Sequence, residues 1–150
     1  MEQTLKTKLF PVLLKLIIIA ITIFIVTFIQ IYWAMGSLSE RSSSSCLDCS
    51  FSYDAYLMSF ISSILLSIVF RFLSFLKNSY SIVFLQLLFL ISIWFFWNYS
   101  IFVDRESSWS TFLFTEELLH TLTLSFLPIS ILSIITVFTL HYILKKYESK

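Results

Sequence analysis

The sequence predicts an all-α membrane protein: four transmembrane helices in an antiparallel bundle, with the N-terminus and the C-terminus both cytoplasmic. Three observations predict it. Hydrophobic residues make up 58% of the chain and charged residues 13%, with a mean hydropathy of +0.90; soluble domains average roughly 45–50% and about 25%. Four apolar runs, at about 12–33, 55–76, 81–97 and 118–144, have the length of membrane spans. Eight of the ten Lys and Arg residues lie before the first run, between the second and third, after the fourth, or one turn inside those ends. They are Lys6, Lys8, Lys15, Arg71, Lys77, Lys145, Lys146 and Lys150, while Arg41 and Arg105 alone lie in the other two connections. Cytoplasmic loops carry the excess of basic residues, so the asymmetry orients the bundle.

The chain reads as a single integral membrane domain over 1–150, with outer loops at about 35–54 and 98–115. The acidic residues sort by side as well. Glu40, Asp48, Asp54, Asp104, Glu106, Glu116 and Glu117 fall outside, and Glu2 and Glu148 inside. A net charge of +1 argues against a nucleic-acid partner, which calls for a basic face.

The first run is too long for a signal-peptide core and lacks a small-residue cleavage site after it, so it reads as a retained anchor. Pro11 stands at the expected first helical position, where a missing N–H costs little. Ile17, Ile18, Ile19, Ile21, Ile23 and Ile25 favour strand in water. In lipid each backbone group must be satisfied within its own segment, and helix wins. Lys15 is placed to snorkel to the headgroups, with an ion pathway as the sharper alternative. Tyr32 and Trp33 mark the outer boundary. The loop that follows holds the sole glycine, Gly36, a serine run at 42–45 and both cysteines, and reads as polar and mobile.

The second helix carries Ser52, Ser59, Ser63, Ser67 and Ser74 at steps of seven or four, on one face. Ser59, Ser63 and Ser67 form the expected helix-packing seam, whose hydroxyls can bond across a close approach. A polar permeation path is the alternative, against which stands the lack of a charge in mid-membrane on that face. Arg71, near the inner end, can snorkel. Lys77, Asn78 and Ser79 make a tight cytoplasmic turn into the short third run. Gln86 is its one strongly polar interior residue, and Trp94, Trp97 and Tyr99 crowd its outer end. Asn98-Tyr99-Ser100 matches a glycosylation acceptor but lies too close to the membrane for modification.

In the second outer loop the apolar stretch at 109–114 is suited to the membrane interface. Thr115 is the expected N-cap of the fourth helix, with Glu116 and Glu117 at the favourable end of the helix dipole. Pro128 removes one backbone bond and predicts a kink, with Ser125, Ser130 or Ser133 able to rebond freed carbonyls. A structural kink and a gating hinge are both open at that residue.

Cys46-Leu47-Asp48-Cys49 is the one motif with chemical meaning. Two thiols at this spacing support a structural disulfide, a redox pair that exchanges with a partner dithiol, or two free thiols. A zinc site needs two further ligands, and none is near in sequence. Glu117-Leu118-Leu119-His120 is half of a di-iron motif without its second copy. His141 lies 21 residues beyond His120, roughly 30 Å along a helix. No glycine-rich phosphate loop, no Ser/His/Asp set and no midplane polar cluster is visible, so no catalytic residue, metal or cofactor is expected.

Four spans, cytoplasmic termini, and Cys46 and Cys49 in the first outer loop shortly before the second helix resemble the quinone-linked disulfide-generating membrane proteins of bacteria. The resemblance implies thiol–disulfide oxidoreductase activity centred on Cys46 and Cys49. It covers topology and those four residues. That family has a second cysteine pair in its second outer loop, where 98–115 has none, and an arginine soon after the motif, where the next here is Arg71.

The sequence therefore points to a small polytopic protein of the bacterial inner membrane that acts without catalysis by binding another membrane protein. Within that class the expectation is an immunity or exclusion factor against a pore-forming toxin or a conjugation or injection apparatus. Alternatives are a membrane thiol–disulfide oxidoreductase and an accessory subunit of a channel or transport complex. The expected partners are the lipid bilayer and a membrane protein, with a homo-oligomer also open. Four short helices leave no room for an aqueous pore in a monomer.

Overall fold

The computed structural model describes residues 2–76 and 78–148, with side chains between 12 and 143. Lys77 and Lys150, two of the residues used above to orient the chain, lie outside the described residues. The chain folds as α1 (Glu2–Met35), a 3-10 turn (Gly36–Leu38), α2 (Phe51–Leu73), α3 (Ser79–Arg105), a second 3-10 turn (Ser107–Trp109) and α4 (Phe114–Glu148). All four α-helices are long and apolar enough to cross a membrane.

The helix ends differ from the lengths of the apolar runs, and local chemistry explains each difference. The chain is helical through Pro11, so the proline does not start α1. α2 starts at Phe51, four residues early, because the Ser50 hydroxyl accepts from Tyr53 N at 3.3 Å and caps it. Asn78 caps α3 likewise, its Oδ1 accepting from Tyr80 N at 3.0 Å.

The largest difference is at the far end of α3. The sequence places a loop from Asn98, but the helix runs on to Arg105. Asn98, Ile101, Phe102 and Arg105 are all buried there, so the polar residues that read as loop mark one inward face of a longer helix. Thr115 is not the N-cap of α4, which begins at Phe114. Leu113 N donates to Glu116 Oε2 at 2.9 Å, and Leu113 O accepts from the backbone of Glu116 and Glu117. That glutamate reaches back as one half of a capping box.

The buried apolar side chains form two clusters. One draws on all four helices: Ile19 and Ile23, Leu66 and Phe70, Leu90 and Trp94, and Ile129, Val137 and Leu140. The other gathers Ile31, Met35, Leu38, Phe51, Ala55, Ile101 and Phe102, and no residue of α4 belongs to it. It lies at the end where the two longer connections meet, called here the disulfide end. Elsewhere the helices turn apolar faces outward. Ile17, Ile21, Ile25 and Ile29 form such a stripe on α1, as do Ile61, Ile64, Leu65 and Ile68 on α2. In water that surface would drive aggregation; against acyl chains it costs nothing.

Between the two clusters every helix buries polar side chains instead. They are Thr27 and Gln30 on α1, Ser59, Ser62 and Ser63 on α2, Asn98 on α3, and Thr121 and Ser125 on α4. Together these side chains make a polar belt across the bundle. Successive helices place these residues far apart in sequence, so no local pattern reveals that they share a layer.

Candidate functional site

Arg105 organises the disulfide end. It is the last residue of α3 and is only 2% exposed. One guanidinium nitrogen donates to Arg41 O at 2.5 Å. Another donates to Cys49 O at 3.1 Å and to Asp54 Oδ2 at 2.5 Å. The group also lies over the Phe51 ring, 5.5 Å from its centroid. One planar cation thus ties the connection after α1 to the first turn of α2 and the last turn of α3. Arginine suits this place, because its rigid fork reaches several acceptors at once. Asp54 is the partner that makes burial of the charge tolerable.

Further bonds fasten the same connection. Asp104 Oδ1 accepts from the Ser44 hydroxyl at 3.0 Å and from Ser45 N at 2.9 Å, while Ser44 N donates to Asp104 O at 3.0 Å. Arg41 pairs with Glu106, and Trp109 Nε1 donates to Ser42 O at 3.0 Å. The segment that reads as mobile in sequence is therefore bonded to the end of α3 and to the second connection.

Cys46 and Cys49 form a disulfide. Cys49 N donates to Cys46 O at 3.0 Å, so the motif is a single turn closed twice, by backbone and by sulfur. Both cysteines are half-buried, while Leu47 and Asp48 between them stand out into solvent.

The Glu117–His120 half-motif is engaged in other contacts. Glu117 accepts from Tyr99 Oη at 2.8 Å and from the Ser107 hydroxyl. His120 stacks on Phe102 at 6.0 Å between centroids and meets Phe112 edge-on at 5.2 Å. Among the described residues no group of three His, Cys, Asp or Glu side chains is placed to hold a metal ion.

No known protein family matches the chain, and no curated protein or solved structure resembles it.

The hydroxyls of the three seam serines of α2 bond within their own helix. Ser59, Ser63 and Ser67 are buried, but each hydroxyl donates to a carbonyl of its own helix: Ala55 O at 2.6 Å, Phe60 O at 2.8 Å and Ile64 O at 2.9 Å. Bonds to other helices come from Ser52 and Ser62. The Ser52 Oγ pairs with Tyr32 Oη of α1 at 2.6 Å. The Ser62 Oγ accepts from Trp97 Nε1 of α3 at 2.7 Å. Its signal in the sequence is the Ser62-Ser63 pair, of which only one member falls on the four-and-seven rhythm. Pro128 lies inside α4 and is buried.

A cavity of about 420 Å³ opens beside the latch, lined among others by Asp54, Met58, Phe96, Tyr99 and Asp104. Large apolar side chains stand among the polar residues exposed at the disulfide end. Leu47, Trp109, Leu113 and Phe114 are exposed by 70%, 57%, 67% and 65%.

Proposed function

We propose that the chain forms an antiparallel four-helix bundle in a bacterial inner membrane, with both termini cytoplasmic, and binds another membrane protein through its disulfide end. Within that reading it is an immunity or exclusion factor that blocks a pore-forming toxin or a conjugation or injection apparatus. The supporting observation is the Arg105 latch, which bonds Arg41 O, Cys49 O and Asp54 at the end that also exposes Leu47, Trp109, Leu113 and Phe114. Recognition surfaces are strongest where large apolar anchors are fixed before the partner arrives, because less freedom is lost on binding. The charge pattern supports the orientation, placing this end outside.

Photo-crosslinking side chains at positions 47 and 109 test the reading in native membranes. The expected result is capture of one membrane protein at both positions. Exchange of the two connections between such factors is then expected to exchange their targets. Specificity that survives exchange of both connections and of the helix faces overturns it.

A second reading, thiol–disulfide exchange at Cys46 and Cys49, is favoured by the half-exposed disulfide. It predicts that Cys46→Ser or Cys49→Ser traps a mixed disulfide with a partner protein. An unchanged phenotype in the double replacement removes it.

A further inference from the structure

Three polar side chains at the heart of the bundle lack protein partners. Gln30, Asn98 and Thr121 are each 0% exposed. Among the described residues nothing bonds to Gln30 Nε2 and Oε1, Asn98 Nδ2 and Oδ1, or Thr121 Oγ1. Buried amides in proteins are nearly always bonded, so five orphaned atoms on three helices call for a bridging group.

Their heights agree. Trp94 Nε1 donates to Thr27 Oγ1 at 2.9 Å and pins α1 to α3. Gln30 lies three residues past Thr27 and Asn98 four past Trp94, so both stand about one turn nearer the disulfide end. On α4, His120 stacks on Phe102, which lies one turn past Asn98, and Thr121 directly follows His120. The three residues therefore lie at similar depth in the polar belt, between the two apolar clusters.

Their chemistry narrows the occupant. Two amides offer N–H donors and carbonyl acceptors in equal measure, and the hydroxyl is both. The set carries no charge, so neither an anion nor a cation finds a counter-charge there. A small neutral molecule that both donates and accepts is matched on every atom. We propose that Gln30, Asn98 and Thr121 enclose an internal water site, in which ordered water bridges α1, α3 and α4. Reciprocal pairing of the two amides alone would use one donor and one acceptor of each and leave Thr121 aside. Water completes all three, as it does in other polar interiors.

The test is water-to-amide magnetisation transfer, measured by NMR on the full chain in lipid nanodiscs. The sequence has only two asparagines, Asn78 and Asn98, and three glutamines, Gln3, Gln30 and Gln86. With asparagine alone labelled, a soluble paramagnetic ion bleaches exposed Asn78 and identifies Asn98 without any substitution. The expected result is direct transfer from water to the Asn98 side-chain amide despite its complete burial. Transfer to Gln30, assigned by its loss in Gln30→Met, is expected too, and Thr121→Val is expected to reduce both. An Asn98 amide that receives no magnetisation from water overturns the proposal. That readout uses the unaltered protein, so a variant that fails to fold leaves the test intact.

Discussion

Arg105 and Asp54 meet at 2.5 Å across the junction of α2 and α3, with the guanidinium buried and the carboxylate partly open to solvent. A pair of this kind contributes modestly when both members are present. Its removal by halves is severe, because the survivor stays in a dry site without its counter-charge.

Asp54→Asn or Arg105→Leu is therefore expected to lower stability by about 3–5 kcal/mol. Arg105→Lys is expected to recover little, since an ammonium cannot reach Arg41 O, Cys49 O and Asp54 together. Unfolding in detergent, followed by circular dichroism against denaturant, reads both. A loss below about 1 kcal/mol for Arg105→Leu, in the range of an exposed pair, would contradict the buried latch.

The Trp94–Thr27 bond predicts a coupled pair. Trp94→Phe keeps most of the ring and removes the donor, at about 1 kcal/mol beyond the loss of packing. Thr27→Val on top of Trp94→Phe is expected to cost less than Thr27→Val alone. Additive losses across the double-mutant cycle would show that the two side chains do not interact.

The disulfide closes a very short loop, so its constraint on the unfolded chain is small. Chain-entropy reasoning gives roughly 2 kcal/mol, and the bonds from Arg105 and Asp104 hold the same segment independently. Cys46→Ser/Cys49→Ser is thus expected to fold, with stability reduced by about 2 kcal/mol or less. Thermal unfolding with and without a reductant measures it. A chain that cannot be recovered folded after reduction would assign the disulfide a larger structural part.

Orientation has its own test. In the Cys46→Ser/Cys49→Ser background, Ser110→Cys is expected to react with an impermeant maleimide applied from outside the cell. Ser79→Cys is expected to react only after the membrane is opened. The reverse pattern inverts the proposed topology.

The four spans were legible because length and composition alone mark a segment that can stay in lipid. Their ends were not, because ends are set by caps and by tertiary contacts. Ser50 and Asn78 extend α2 and α3 through one side-chain oxygen each. Asn98 reads as the start of a loop only while its burial is unknown. Arg105 shows the same limit, since a cation between Asp104 and Glu106 looks solvated until the backbone oxygens of Arg41 and Cys49 arrive from sixty residues away. The polar belt was hidden for a related reason. Gln30 and Thr121 look incidental within apolar runs and Asn98 looks like loop, and only the packing places them at similar depth.

The second apolar cluster contains nothing from α4, and over its first turns that helix turns Leu119, Leu122 and Leu124 away from its neighbours. Those leucines meet acyl chains whether or not α4 is docked. What fastens this stretch is the pair of bonds to Glu117 and the rings around His120. Separating it from the other three helices disrupts these polar and ring contacts and uncovers the Phe102 ring, but takes no side chain of α4 out of the second cluster. The bundle has a seam of low mechanical strength beside its stiffest corner, and a load applied at the disulfide end would part it along α4.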